Sequence, residues 1–267
     1  QTTRPLSRDD EVIRKSIKYK DYLRRHRYKV VGALHNTDVT SVPWRDDLYT
    51  NLNKDKEEPF NLIGDLRTDG DILRGAENVR QYGSLHGYTI AKHSKNVTLN
   101  NANAEQNIGK NSVKLSLHDS KAPYIAAHAK EAVVQRCYAS SKIARKAKDS
   151  IIMESQASSI GHGAENTIIA DCQGHGIGPG SKNARIINCS AEGSIARYGE
   201  DAYVDRCNAE TIGYKVETAF ITRSKAGTIA KQATNTYVSE CSADEIGGNT
   251  DGPNPWQVEK NITAVRS

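Results

Sequence analysis

Isoleucine followed by a small residue returns at a nearly constant interval along most of the chain. The spacing is 17 or 18 residues, and from Ile90 onward the next residue is always Gly or Ala. A fixed period of this kind is the signature of a repeat protein, so we number each repeat from its Ile as position one. The series is Ile72, Ile90, Ile108, Ile125, Ile143, Ile160, Ile177, Ile195, Ile212, Ile229 and Ile246.

Other positions of the repeat also keep their chemical character. Position five is small in most repeats, position seven favours Asn or Asp, position ten is aliphatic from Leu99 onward, and position thirteen is Cys, Ser or Ala. Because successive side chains of a strand point to opposite faces, we expect positions eight, ten, thirteen and fifteen to point inward. Asn and Asp tolerate the left-handed backbone of a sharp bend, so position seven predicts a corner.

The period decides the fold class. A repeat of 17 to 18 residues is too short for a pair of helices and suits one coil of a β-helix. The chain therefore resembles parallel β-solenoid repeat proteins, in architecture and not as a member of one particular family. We predict an all-β, single-stack parallel β-solenoid of about ten coils over residues 72–246, right-handed by analogy with the coils that it resembles. At roughly 4.8 Å per coil, the rod would be about 50 Å long.

The segments outside the repeat predict two caps. Residues 1–71 form a basic helical extension and N-terminal cap in this interpretation, with Ser7 as the N-cap of a helix and acids preceding bases along it. Residues 247–267 form a C-terminal cap, because two prolines stop strand pairing there and Trp256 is available to cover the last core layer.

The amino-acid composition further limits the kinds of core and partner that the protein can have. Only 37% of the 267 residues are hydrophobic, which predicts a thin core of small side chains, and no apolar run is long enough to span a bilayer. The net charge of +5 permits an anionic partner without requiring one. The chain begins at Gln1 without a signal-peptide pattern, so a removed leader stays open.

All five cysteines fall at position thirteen, where we expect them to fill the core. Ligation of a metal or an iron–sulfur cluster is a weak alternative, because the same position accepts Ala and Ser and no CxxC occurs. A disulfide between stacked Cys172 and Cys189 is possible by spacing, but free thiols fit a reducing, cytoplasmic compartment better. We therefore predict no metal and no other cofactor.

Positions three and four form the most informative outward row, which we call the basic ridge. Its twenty positions hold eight Lys or Arg, three His, two Tyr and no acid. Stacked cations can neutralise phosphates and release counterions, and tyrosines can stack on bases; the competing interpretation is a solvated turn that keeps the rod soluble. The candidate nucleic-acid-binding residues here are Arg74, Lys92, His93, Lys110, His128, Arg145, Lys146, Arg197, Tyr198, Tyr214, Lys215 and Lys231.

The predicted N-terminal helix adds to this positive surface. Between residues 12 and 29 there are eight Lys or Arg and one acid. A solvated helix face is the simpler explanation of such a run. The candidate nucleic-acid-binding residues in it are Arg14, Lys15, Lys18, Arg24, Arg25 and Arg27.

Positions nine and eleven predict a second, apolar surface, which we call the apolar strip. These positions should point outward, yet several repeats place bulky apolar residues there, and an exposed strip of that size marks a contact surface. It could receive the N-terminal segment, a second copy of the chain or another protein. Its candidate interface residues are Val133, Ile151, Met153, Ile168, Tyr203, Phe220 and Tyr237.

Catalysis has weaker support in the sequence. Position twelve carries carboxylates such as Asp171 that could serve a glycosidase or a calcium-dependent lyase, but the mixed charges in that row favour ion pairing between coils. His162 and His175 flank Cys172, but we expect both histidines in turns and Cys172 pointing inward, which disfavours joint metal binding. We therefore predict a non-enzymatic binding or scaffold protein that engages RNA or another polyanion and does not enter a membrane. A self-associating structural protein and a carbohydrate-active β-helix enzyme are the alternatives.

Overall fold

The computed structural model describes residues 50–247 and 263–265, and over them the chain is a parallel β-solenoid. It has about 11 coils of about 17 residues, which confirms the architecture that the period predicts. The described residues contain no helix. The predicted N-terminal helix and Trp256 lie outside them.

Two parallel sheets form the long sides of each coil. Sheet 1 runs in the order β1 (Phe60–Ile63), β4 (Glu77–Tyr82), β6 (Lys95–Asn100), β8 (Val113–His118), β10 (Val133–Gln135), β12 (Ile151–Met153), β14 (Ile168–Ala170), β16 (Arg185–Ile187), β18 (Ala202–Asp205), β20 (Ala219–Thr222), β22 (Thr236–Ser239) and β24 (Thr263–Val265). Sheet 2 runs in the order β2 (Leu66–Arg67), β5 (Leu85–Ile90), β7 (Ala102–Ile108), β9 (Lys121–Ile125), β11 (Tyr138–Ile143), β13 (Gln156–Ile160), β15 (Gln173–Ile177), β17 (Ser190–Ile195), β19 (Asn208–Ile212), β21 (Lys225–Ile229) and β23 (Ser242–Ile246), and β3 (Asp71–Ile72) also pairs with β5.

A third, shorter side closes the cross-section at position six. Successive residues there join by single parallel bridges, from Val113 through Lys130 to Glu200. Ion pairs follow the same row, with Lys148 Nζ 2.6 Å from Glu165 Oε2. The coil is thus a triangle whose sides carry different rows of side chains.

Strand pairing begins one coil before the first Ile of the repeat. Strand β1 pairs with β4, and Phe60 lies opposite Val79. The Asn51 amide donates to the Arg74 carbonyl at 2.7 Å, at the place where later coils stack their ridge residues. The repeat pattern does not reveal this coil, because Lys54 and Asp55 stand 18 and 17 residues before Ile72, and the pair Ile63-Gly64 falls off the period.

Left-handed residues make the corners of the triangle. Position seven has φ near +50°, as at Asn166 (52°) and Asn183 (49°), which confirms the predicted bend. Positions two, four and twelve are also left-handed in most coils, including Ala126 (52°), Lys146 (52°) and Glu154 (48°). The small residue at position two therefore limits the steric cost of a conformation that L-residues with a Cβ normally avoid.

The core is a stack of identical layers. Positions eight, ten, thirteen and fifteen point inward as predicted: in one coil Ala132, Val134, Cys137 and Ala139 are all buried. Ile at position one is fully buried wherever it faces a complete neighbouring coil, as at Ile143. Because small residues fill the other inward positions, little bulky apolar material is needed to close the interior.

Position thirteen has a hydrogen-bonding role that explains its restricted chemistry. The Cys189 amide donates to Cys207 Sγ of the next coil (3.4 Å), and the Cys172 amide donates to Cys189 Sγ (3.5 Å). The Cys189 thiol in turn donates to the Ile187 carbonyl at 3.2 Å. In one coil this position is Ala102, whose side chain has no acceptor. The Ser84 amide of the preceding coil donates to Asp65 Oδ1 instead. Position thirteen thus supplies an acceptor for a buried corner amide.

We predict that Cys189→Ser retains most of the stability and that Cys189→Ala loses about 1–2 kcal/mol, because only the alanine leaves the Cys172 amide unpaired. Chemical denaturation gives the free energy of unfolding of both variants. An equal loss in the two variants would mean that the thiol contributes volume alone.

Candidate nucleic-acid interface

The basic ridge stacks in register along the rod. In each pair of neighbouring coils, the position-four amide donates to the position-three carbonyl of the next coil. The bonds run from His93 to Lys110, from His128 to Arg145, from Lys146 to His162, from Tyr198 to Tyr214 and from Lys215 to Lys231, at 2.7–2.9 Å. The side chains of the ridge therefore lie in two straight rows at one corner of the triangle, as the alignment predicts.

Within the described chain, the ridge cations form ion pairs with carboxylates only at the two ends of the ridge. Arg74 lies 4.0 Å from Asp71, and Lys231 lies 3.6 Å from Glu245. The cations between these ends form no ion pair with a described residue. In that central part the Nε atom of Arg145 is buried without a hydrogen-bond partner.

The three ridge histidines respond to this positive environment. Burial and the neighbouring Lys92, Arg74 and Lys110 lower the pKa of His93 below its usual 6.5. The pKa values of His128 and His162 are lowered by the same combination of partial burial and nearby Lys and Arg side chains. Burial is the larger cause at each histidine, and the neighbouring cations add to it by disfavouring a further positive charge.

An aromatic cluster occupies the C-terminal part of the ridge. The Arg197 guanidinium carbon lies 4.8 Å from the ring centre of Tyr198 and 5.4 Å from that of Tyr214, and Arg197 donates to the Tyr198 hydroxyl at 3.1 Å. The two rings meet edge to face, with centres 5.6 Å apart. Tyr198 is still 52% exposed, so this cluster combines ordered cations with accessible aromatic surface.

A surface depression of about 290 Å³ adjoins that cluster, and sequence reasoning did not find it. Besides Arg197 and Tyr214 it is lined by His175, Glu210 and Thr211. The last three belong to sheet 2, at positions sixteen and seventeen. Glu210 and Thr211 precede Tyr214 by only four and three residues. Only the folded chain shows that they border one depression together with His175 and Arg197 of neighbouring coils.

The apolar strip lies on a different side, on the outer face of sheet 1. Strand pairing places Val133 beside Ile151 and Ile151 beside Ile168, and the two residues of the aromatic end, Phe220 and Tyr237, are also neighbours. Phe220 is 54% exposed. The outward assignment of position nine is therefore correct, and the strip and the ridge occupy separate surfaces.

The carboxylates near the strip are tied to arginines. Asp119 receives a two-pronged hydrogen bond from Arg136 at 2.8 and 2.9 Å, which lowers the pKa of this carboxyl. Burial opposes ionisation of Asp205, but hydrogen bonds from Arg223 and Thr222 outweigh it and keep the pKa of Asp205 low. Neither group has the raised pKa of a general acid.

Other candidate residues fall outside the ridge or outside the described chain. The six N-terminal basic candidates between Arg14 and Arg27 lie outside the described residues. The five cysteines are free, and burial raises the pKa of Cys137 to about 11. Over residues 50–247, no cluster of three or more His, Cys, Asp or Glu could hold a metal ion, and no helix could span a membrane.

Comparisons of the chain with protein-family models, with curated proteins and with solved structures found no match. The ridge and the strip therefore have to be interpreted from their own chemistry.

We predict that the free energy of unfolding decreases as the pH falls from about 7.5 to about 5.5, because the unfolded chain binds protons on His93, His128 and His162 at a higher pH than the folded chain does. The stability that these groups contribute is present above their unfolded pKa near 6.5 and is lost as the pH falls through the lower folded values. Denaturation at several pH values measures this change in the free energy of unfolding.

The matched variant replaces the three histidines with Asn, which already occupies a left-handed ridge position at Asn111. Its stability should depend less on pH over this interval. An unchanged dependence would assign the effect to other groups.

Proposed function

We propose that the protein is a non-enzymatic binding protein whose basic ridge engages RNA in single-stranded form. The observation that carries this proposal is the central ridge, where Lys and Arg side chains form no ion pair with a carboxylate among the described residues. The coils of His128, His162 and Pro179 add no Lys or Arg to it and no acid either. A surface that gathers cations along one line is suited to an extended polyanion. Displacement of counterions from the bound strand would supply much of the binding free energy.

The shape of the ridge agrees with an extended ligand. Neighbouring coils are roughly 4.8 Å apart, so the ridge offers a straight series of positive groups along the rod. A flexible single strand can adjust its phosphates to such a series. Such a ligand does not need a deep cleft, because contacts with its phosphates position it without enclosing it.

The aromatic cluster is the reason for preferring RNA to other polyanions. Tyr198 presents an exposed ring beside Arg197, and stacking of bases on aromatic or guanidinium planes is common in the recognition of single strands. A sulfated polysaccharide has charges for the ridge and no base for Tyr198. A nucleic acid uses both features of the surface.

The test measures binding of fluorescently labelled single-stranded RNA over a series of salt concentrations, with heparin as a second polyanion. We expect RNA binding that weakens steeply with salt. Replacement of Arg145, Lys146, Arg197 and Lys215 by Glu should abolish it or reduce the slope of log K against log salt by about 3, since each phosphate contact with a single strand contributes about 0.7.

A matched control reverses four cations away from the ridge: Arg80, Lys114, Lys121 and Lys225, which are all exposed. Both variants have the same net charge, so a long-range charge effect would weaken them equally. Equal loss in the two variants, or no RNA binding at low salt, would contradict the proposal. Tyr198→Leu should weaken RNA and leave heparin unchanged, whereas tighter binding of heparin than of RNA would favour a polysaccharide.

A further inference from the structure

The position-nine row of the apolar strip runs through seven coils of sheet 1, and the type of residue changes along it. Position nine has aliphatic residues in three coils, Arg185 in the next and aromatic residues in the following three. Strand pairing keeps this row in register throughout. The row reads Val133, Ile151, Ile168, Arg185, Tyr203, Phe220 and Tyr237.

The charged row at position twelve borders the strip and changes sign at the same coil. Glu154 and Asp171 precede Asn188, and Arg206 and Arg223 follow it. All five have left-handed backbone at the same corner, and their amides stack in register from coil to coil. In the two coils on each side of Asn188 the row is therefore acidic on one side and basic on the other, and the two arginines also pair with Asp205 within the chain, at 3.1 and 2.7 Å.

If a second copy is placed in the opposite direction along the rod, the acidic residues of one copy meet the basic residues of the other. We propose that the outer face of sheet 1 is the interface of an antiparallel homodimer, with the twofold axis crossing the rods at the coil of Asn188. A twofold contact brings the same patch of both copies together, so each residue meets the residue equally far on the other side of the axis.

The twofold axis pairs unlike charges at three levels of the position-twelve row. Glu154 of one copy faces Arg223 of the other, Asp171 faces Arg206, and Arg136 faces Glu240. A parallel arrangement in the same register would place like charges together. Since like charges across an interface are costly, the row selects the antiparallel orientation.

The apolar row is matched in the same arrangement. Ile151 faces Phe220 and Ile168 faces Tyr203, so aliphatic side chains of one copy cover aromatic rings of the other. Phe220, at 54% exposure, is the residue that gains most from such a cover. The interface then has an apolar centre and a charged border, as protein interfaces commonly do.

Arg185 lies on the axis, where two guanidinium groups approach each other. Its guanidinium carbon lies 5.5 Å from the ring centre of Tyr203, so the side chain is directed along its own row. The remaining repulsion limits the affinity. Seven coils also give a strip only about 29 Å long, at the small end of specific interfaces. We therefore expect a dimer that dissociates on dilution.

Sedimentation velocity of the full chain over a range of concentrations tests the association. We expect a monomer–dimer equilibrium that Asp171→Arg alone, or Arg206→Asp alone, weakens by about tenfold, because the symmetry makes each reversal act twice. The two substitutions together restore opposite charges at both contacts and should recover the dimer. Thermal denaturation checks that each variant is folded.

Crosslinking tests the position of the axis with a control in the same coil. Asn188→Cys places two exposed thiols at the twofold axis, and Asn183→Cys places an equally exposed thiol at another corner, with φ of 51° and 49° at the two sites. Under mild oxidation we expect a disulfide-linked dimer for Asn188→Cys and little for Asn183→Cys.

A chain that stays monomeric at every concentration would overturn the proposal; this is the outcome expected if residues 1–49 cover the strip. A dimer whose strength is unchanged in both single variants, or that crosslinks equally at both cysteines, would also overturn it. The ridge lies at a different corner, so these measurements are independent of RNA binding.

Discussion

The fold depends on how the chain satisfies its amide groups at the corners of the triangle. Each coil turns through left-handed residues at positions four, seven and twelve, and the amide after a turn needs an acceptor. After position four it generally donates to the position-two carbonyl of its own coil, and after position twelve it donates in most coils to a side chain of the next coil. At position thirteen the acceptor is a thiol or a hydroxyl, and at position eight Ser150 accepts from the Ala132 amide in the same way. Because an unpaired buried amide is expensive, these corners restrict the sequence more strongly than the strands do.

The same constraint explains the positions of the basic ridge and the apolar strip. A coil that must stack every corner on the corner before it cannot vary its outline, so side chains at one position form a straight row. The basic ridge is such a row at the position-four corner, and the apolar strip is such a row on sheet 1. Selection for a binding surface then needs only a change of side chain at a fixed position, since the backbone beneath it is supplied by the repeat.

The charged side chains of the two surfaces differ in whether they form ion pairs within the chain. On the border of the strip, carboxylates and arginines lie within bonding distance, as in the pair of Arg223 and Asp205 at 2.7 Å. In the central ridge the cations have no such partners among the described residues, and they add to the effect of partial burial, which lowers the pKa of the ridge histidines. The border is thus organised by its own ion pairs, whereas the ridge retains an unbalanced positive potential suited to an external anion.

Period and composition determined the architecture of this protein. The interval between isoleucines indicates one coil, the alternation of small and aliphatic residues indicates the inward positions, and Asn or Asp at position seven indicates a bend, because each depends on local stereochemistry that the residue type itself imposes. The ridge and the strip were predictable for the same reason: a strict repeat converts spacing along the chain into position in space.

Only the tertiary structure decided what depends on contact between different positions. The coil formed by residues before Ile72 has no repeat signature and is defined by its pairing with β4. The depression beside Tyr214 combines residues of several stacked coils, from His175 to Tyr214, and its concave shape follows from how these coils pack and not from the period. The acceptor role of Cys189 likewise appears only when the next coil is stacked on it, since a hydrogen bond between coils depends on the register of the folded chain and not on the period alone.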